Sequence, residues 1–168
     1  MPPASLVLEL SDFAAGLPLA GRLMALDVGT KTIGIAISDT TRLVASGLET
    51  LQRTKFTADA EHLMTRVRTH EIVAIIIGLP VNLDGTSGPR VQATRAFASN
   101  LGGKLALPML LWDERLSTVA AERSLLEADA SRKRRKEVID KVAAVIILQG
   151  ALERLREMAR VAGAHCGE

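Results

Sequence analysis

Arg22-Leu23-Met24-Ala25-Leu26-Asp27-Val28-Gly29-Thr30-Lys31-Thr32-Ile33-Gly34-Ile35-Ala36-Ile37-Ser38 decides how the fold is read. The apolar run Arg22 to Val28 predicts one strand. Ile33, Ile35 and Ile37 alternate, so Ile33 to Ser38 predicts a second strand with its isoleucines on one face. Gly29–Gly34 supplies the turn between them. Asp27 closes the first strand, where a carboxylate is costly unless it is paired, hydrogen-bonded or bound to a cation. Gly29 and Gly34 let the backbone turn sharply and approach a phosphate. An Asp before a turn also commonly accepts hydrogen bonds from that turn. On this stretch alone the two readings weigh equally.

Working outward, Leu43 to Thr50 predicts a third strand. From Thr57 to His70 the period changes, with Ala60, Leu63, Met64 and Val67 at helical spacing. The β-branched run Ile72–Ile77 predicts a strand buried on both faces. A polar loop with Pro80, Asn82, Asp84, Gly85 and Gly88 follows, and Pro89 suits the first turn of a helix towards Leu101. Gly102-Gly103 is expected to stop that helix, and Leu105–Trp112 to form a fifth strand. Ser117 or Thr118 can cap a helix running to about Ala128. Arg132-Lys133-Arg134-Arg135-Lys136 reads as a basic loop. Beyond it Val138, Val142, Val145, Leu148, Leu152, Leu155 and Met158 mark one face of a long helix.

This order predicts an α/β fold. Three strands form an antiparallel meander, later strands arrive parallel through helices, and a mixed five-stranded sheet results. The 168 residues suit one domain. Residues 1–20, with Pro2, Pro3, Gly16 and Pro18, read as an extension outside the core, 21–160 as the domain and 161–168 as a tail.

Composition narrows the function. The formal charge is only +2, with a pI near 9.0, so attraction to nucleic acid must come from local basic patches. Phe13, Phe56, Phe97 and Trp112 are the only aromatics, which argues against stacking platforms for single strands. The single cysteine, Cys166, rules out an internal disulfide or a cysteine-rich metal site. The N-terminus lacks a basic n-region, and Glu9 and Asp12 interrupt its apolar stretch, unlike a signal peptide. No apolar run approaches the ~20 residues of a membrane helix. The expectation is a cytoplasmic protein with no membrane partner.

Four further segments carry candidate chemistry. Gly78–Thr86 follows a buried strand, where α/β sheets often bind ligands. Asn82 is a candidate substrate contact there, while Asp84-Gly85 reads as an ordinary turn. Asp113-Glu114-Arg115 closes the fifth strand. Adjacent side chains of a strand face opposite ways, so one of the two acids can join Asp27, and Glu114 is preferred. Arg115 can meet a phosphate or pair with a neighbouring carboxylate. Asp140 stands near the start of a largely apolar helix. It either complements the helix dipole or points towards the strand ends that carry Asp27 and Glu114. The run Arg132, Lys133, Arg134, Arg135 and Lys136 is either a solvated segment or a phosphate-binding patch, and its closeness to Asp140 favours the second. His62, His70 and His165 show no ligand spacing.

Taken together, Ala25–Ala36, Ile76–Thr86, Trp112–Thr118 and Ile139–Leu148 resemble the YqgF family, also called RuvX, of RNase H-like nucleases. The resemblance spans about residues 22–155 and finds no counterpart for the first twenty residues or the last dozen. It implies an RNase H-like fold and a metal-dependent nuclease, with a role in processing the 5′ end of pre-16S rRNA. Resolution of Holliday junctions in DNA is the alternative role. Asp27, Glu114 and Asp140 fall on the family's acidic positions, expected to hold Mg²⁺ or Mn²⁺ and catalyse hydrolysis. Thr30, Lys31, Asn82, Arg115 and the basic run are the expected substrate contacts. The expected partners are structured RNA, DNA junctions and ribosomal precursor particles, and an oligomer is compatible with the sequence. Lys141 departs from the family pattern, where a small residue is common, and is expected to narrow the corner at Asp140. Two other classes share features of the chain. Sugar kinases and Hsp70-type ATPases open on a similar turn but need two such domains, and a non-catalytic nucleic-acid-binding module would not need the three acids.

Overall fold

The computed structural model describes residues 7–82, 84–116 and 132–165, with the backbone alone at 132–138, 140 and 165. Its strands are β1 (Val7–Leu8), β2 (Arg22–Val28), β3 (Thr32–Ser38), β4 (Ala45–Gln52), β5 (Ile72–Leu79) and β6 (Met109–Asp113). Its helices are α1 (Leu10–Gly16), α2 (Phe56–His70), α3 (Pro89–Leu105) and α4 (Arg132–His165), and Glu114–Leu116 forms a 3-10 turn after β6. The sheet runs β1-β6-β5-β2-β3-β4. The meander β2-β3-β4 is antiparallel, whereas β5 joins β2, β6 joins β5 and β1 joins β6 in parallel.

Alternation along β2 divides the core. Leu23 and Ala25 face α4, together with Ala36, Ala74, Ile76, Leu110 and Trp112. Met24 and Leu26 face α2 and α3, together with Ile33, Ile35, Ile75, Ile77, Leu63 and Phe97. On the first face alanines of the sheet meet Ala143, Ala144 and Ala151 of α4, all buried. Small residues on both partners allow close helix–sheet packing.

The sheet has six strands where five were expected, because the N-terminal segment belongs to it. Val7 and Leu8 pair with Met109 and Leu110. Helix α1 then places Phe13 in the α4-side core with no exposed surface. Arg42 fastens the connection, donating from Nε to the Gly21 carbonyl at 2.8 Å and from Nη2 to that of Pro18 at 2.7 Å. The scattered prolines hid a short amphipathic element, so residues 7–16 do not lie outside the core.

Smaller differences have local causes. Helix α3 continues through Gly102-Gly103 to Leu105 and ends on Ala106, at φ 53. Glycine costs about 1 kcal/mol against alanine in a helix, and burial of Leu101 and packing of Leu105 outweigh it. The fifth expected strand accordingly starts at Met109 instead of Leu105. The third starts at Ala45, because the Asp39 carboxylate takes the amides of Leu43 and Val44 at 2.8 and 2.9 Å and folds them into a turn. Arg132–Lys136 is the opening of α4 and not a loop, in keeping with the good helix propensity of Arg and Lys. The same helix takes in residues 161–165 of the expected tail. The helix expected from Ser117 or Thr118 to Ala128 lies outside the described residues. No helix among the described residues is long and apolar enough to cross a membrane.

If the N-terminal segment is structural, Phe13→Ala should cost about 3–5 kcal/mol, the usual cost of emptying a buried Phe site. Urea unfolding measures it. A loss below about 1 kcal/mol, the range of surface substitutions, would return the segment to the status of an appendage.

Candidate active site

Asp27 shares the parity of Leu23 and Ala25, so it belongs to the face that α4 covers, and it is 4% exposed. It lies opposite Gly34 of β3. On its other side the parallel ladder runs to Leu26↔Ile77, which sets Gly78 of β5 beside Asp27 one residue further on. Gly78 in turn is opposite Trp112 of β6. A Cβ on Gly78 would stand 2.4 Å from Cδ1 of Ile147 and 2.9 Å from Oε1 of Glu114. The Glu114 carboxylate therefore lies over the bare backbone of β5, on the strand next to Asp27. The adjacent ends of the parallel strands β2, β5 and β6 carry these two acids at one corner of the sheet.

Asp113 is engaged elsewhere. Arg115 donates to it from its backbone N–H at 2.9 Å, from Nε at 3.0 Å and from Nη2 at 2.6 Å. These bonds, the side-chain ones foremost, hold the Asp113 carboxyl below its ordinary value, and the Asp113 partner raises that of Arg115. The same guanidinium reaches Gly85, where Nη1 would be 3.3 Å from a Cβ. Gly85 has φ +86, a conformation that favours glycine. Of the two readings of Arg115, the structure displays the carboxylate pair.

The loop after β5 is closed on itself. Asn82 donates from Nδ2 to Oγ1 of Thr86 at 3.0 Å, and its carbonyl accepts from Gly85 at 2.8 Å. Asp84 accepts from Thr86 N and Oγ1 at 2.9 and 2.6 Å, which lowers its pKa. Asp84 thus serves the turn, and the Asn82 amide is occupied within it.

Thr30 and Lys31 are exposed at the tip of the β2–β3 turn, next in sequence to the Asp27 strand end. Gly29 donates to the Thr32 carbonyl at 2.8 Å, and a Cβ on Gly29 would meet that oxygen at 2.9 Å. Arg53, which the sequence pattern did not mark, donates from Nη1 to the Gly29 carbonyl at 2.6 Å. It stands in a short linker between strand and helix, where no periodicity applies.

Asp140 lies in α4, three, four and seven residues ahead of Ala143, Ala144 and Ile147, which are buried against the sheet. Its side chain, like those of Arg132, Lys133, Arg134, Arg135 and Lys136, is outside the described residues. Among the described residues no three His, Cys, Asp or Glu gather as a metal-holding group. Asp27 and Glu114 offer carboxylate oxygens, a donor type that suits hard divalent ions. Lys141 does not crowd this corner. Its Cγ would be 2.7 Å from a Cβ on Gly47, so its stem crosses β4, which β3 separates from β2. His62 pairs with Glu49 at the other face, alongside Arg66.

A mixed sheet of this order, with acids at adjoining strand ends under a long helix, defines an RNase H-like fold. It superposes on T. thermophilus RuvC in complex with Holliday junction substrate with a TM-score of 0.51 at 9% identity, covering 80% of this chain and 96% of that one. A family model described as "RuvX: Holliday junction resolvase" matches residues 21–154, and the chain belongs to that family. It is 57% identical over 154 residues to a protein of Rhodobacter capsulatus named "Putative pre-16S rRNA nuclease", covering 92% of this chain and 97% of the relative. A Paracoccus denitrificans protein of the same name is 60% identical over 152 residues, covering 90% and 96%. These matches extend beyond residues 22–155, so part of the segments left without a counterpart is shared by close relatives.

Two outcomes test this geometry. Gly78→Ala should destabilise the protein by about 1–3 kcal/mol through overpacking, and Ile147→Ala should recover part of that loss, since Ile147 is the nearest obstacle. Equal stability of Gly78→Ala and wild type would contradict the close approach. In a carboxyl NMR titration Asp113 should titrate below 3.8 and return towards it in Arg115→Gln. The sign follows from linkage: this depressed group stabilises the fold above its unfolded pKa and loses that contribution as pH falls through the folded one.

Proposed function

We propose that this protein is a divalent-metal-dependent nuclease that trims the 5′ end of pre-16S rRNA. The observation that supports the reading is that the Glu114 carboxylate lies over Gly78, the β5 residue next to Asp27 in the ladder, in a chain 57–60% identical to relatives of that name. Asp140, in α4 three, four and seven residues ahead of Ala143, Ala144 and Ile147, is the third acid of this set. These three carboxylates would hold Mg²⁺ or Mn²⁺. When bound, such a cation activates a water for attack on phosphorus and offsets charge on the phosphodiester.

The remaining work falls to the chain itself. Asp27 and Glu114, fixed on strand ends, keep the reacting corner in one geometry. Lys31 and Thr30, exposed at the adjacent turn, meet the nucleic-acid backbone. Arg132–Lys136 opens α4 and supplies further phosphate contacts. Cations at a helix N-terminus oppose the helix dipole, each by about 0.3–1 kcal/mol when exposed. A polyanion lying there reverses that penalty, so the run sacrifices stability for binding. With so few aromatics, recognition rests on backbone shape and not on stacked bases. This reading places the protein in the cytoplasm, acting on structured RNA or on ribosomal precursor particles.

The family description and the RuvC-like fold favour one second reading, cleavage of four-way DNA junctions. Structured pre-16S RNA and a four-way junction, incubated side by side with Mn²⁺ or Mg²⁺, discriminate the two. Sizing 16S rRNA 5′ ends after depletion of the protein in its host extends the test to the cell. Normal ends together with symmetrical junction cutting would transfer the assignment to the resolvase.

Asp27→Asn and Asp140→Asn should each lower cleavage about 10³-fold or more, the equivalent of several kcal/mol of charge stabilisation. Both should stay folded, and Asp84→Asn should keep most activity. Activity that survives Asp27→Asn but not Asp84→Asn would overturn the site. Replacing Arg132, Lys133, Arg134, Arg135 and Lys136 by Gln should weaken binding, with the log–log salt slope falling by about 0.7–0.9 per lost contact. The same variant should melt higher than wild type. An unchanged slope would mean that the run is only solvated.

A further inference from the structure

Arg53 stands outside every motif of the sequence, yet it grips the turn that follows Asp27 from two directions. Its Nη1 donates to the Gly29 carbonyl at 2.6 Å, and its own backbone N–H donates to the Lys31 carbonyl at 2.8 Å. The turn closes internally through Gly29 N–H to the Thr32 carbonyl at 2.8 Å. Two carbonyls of the four-residue turn, those of Gly29 and Lys31, are thus held by one residue. The guanidinium is itself held: its carbon lies 5.4 Å from the ring centre of Phe97, which is buried in α3. Phe97 meets Phe56 of α2 edge-on, with centroids 5.7 Å apart and planes at 87°. Two of the chain's three phenylalanines therefore build the seat of this one arginine, on the sheet face away from α4.

We propose that Arg53 is a positioning residue of the active site. It fixes the Gly29–Thr32 turn against the α2–α3 core, so that Thr30 and Lys31 are presented beside Asp27 in one orientation. This inference rests on the nuclease reading above and names how that site is kept rigid. In this role Arg53 acts through the turn, with Nη1 on the Gly29 carbonyl and its face over Phe97. Both tasks need a planar, always charged group, so lysine is a poor substitute. The chemistry is that of preorganisation: a misplacement of about 1 Å in a positioning element can cost about 10²-fold in rate. The loss falls mainly on kcat, because the contacts that suffer are those made best in the transition state.

The test uses the full chain with Arg53→Ala, and Arg53→Met as a second variant that keeps the side-chain bulk. Amide exchange at Gly29 should quicken about tenfold, the equivalent of one hydrogen bond of support, while Met24 and Leu26 keep their wild-type protection. Cleavage of a structured RNA with Mn²⁺ should fall about 10²-fold in kcat, with a smaller change in KM. Millimolar guanidinium should restore part of the Arg53→Ala activity, and an equal concentration of urea should not. A residue that merely stabilised the fold would gain nothing from either. Wild-type kcat with unaltered Gly29 exchange in both variants would overturn the proposal. So would equal quickening at Gly29, Met24 and Leu26, since that marks global destabilisation. A wild type that cuts no RNA would overturn the nuclease reading, and Gly29 exchange would still decide whether Arg53 holds the turn.

Discussion

A side chain at position 78 would have to displace two others. Ile147 of α4 and the Glu114 carboxylate both occupy the space that a side chain there would need. This one close approach ties three things together: the depth to which α4 sinks onto the sheet, the end of β5, and the place of an acid that the chain supplies from beyond β6. The alanines of the two layers extend the same fit along α4. A long helix seated this tightly carries Asp140, near its start, along with it. The residues that seat this helix thereby fix where its backbone runs over the Glu114 corner.

The sheet order supplies the other half. At β2 the pairing changes from antiparallel to parallel, so Asp27 has a hairpin turn on one side and the β5 loop on the other. Parallel strands β2, β5 and β6 end in the same direction, which gathers Asp27, Gly78 and Glu114 although they are far apart in sequence. Two adjacent acids then divide their labour where β6 gives way to the 3-10 turn. Glu114 turns over Gly78, while Asp113 pairs with Arg115 and steadies the loop at Gly85.

Most of the scaffold was legible because its signals are periodic. The isoleucine alternation of β3, the β-branched run of β5 and the helical spacing of α2 each persist over enough residues to identify the element. Alternation showed that only one of Asp113 and Glu114 could face Asp27, without deciding which. What escaped notice lacks a period. Val7–Leu8 and Phe13 act through tertiary contact in a stretch whose prolines suggest disorder. Arg53 sits in a linker, and its partners are carbonyls, which carry no sequence signature. Gly102-Gly103 misled because local propensity lost to burial of the residues around it. The basic run reads as a loop because a block of like charges has no apolar period, and the long apolar face of the helix that follows draws it into α4 instead.

The proposed nuclease requires Asp27 and Glu114 to serve one cation site. Calorimetric titration of Mn²⁺ into wild type, Asp27→Asn, Glu114→Gln and the double variant measures this without any substrate. If the acids share a site, each single change removes most of the affinity and the double change adds little more, as expected for coupled neighbours. Full Mn²⁺ affinity in either single variant, or strictly additive losses in the double one, would contradict the account.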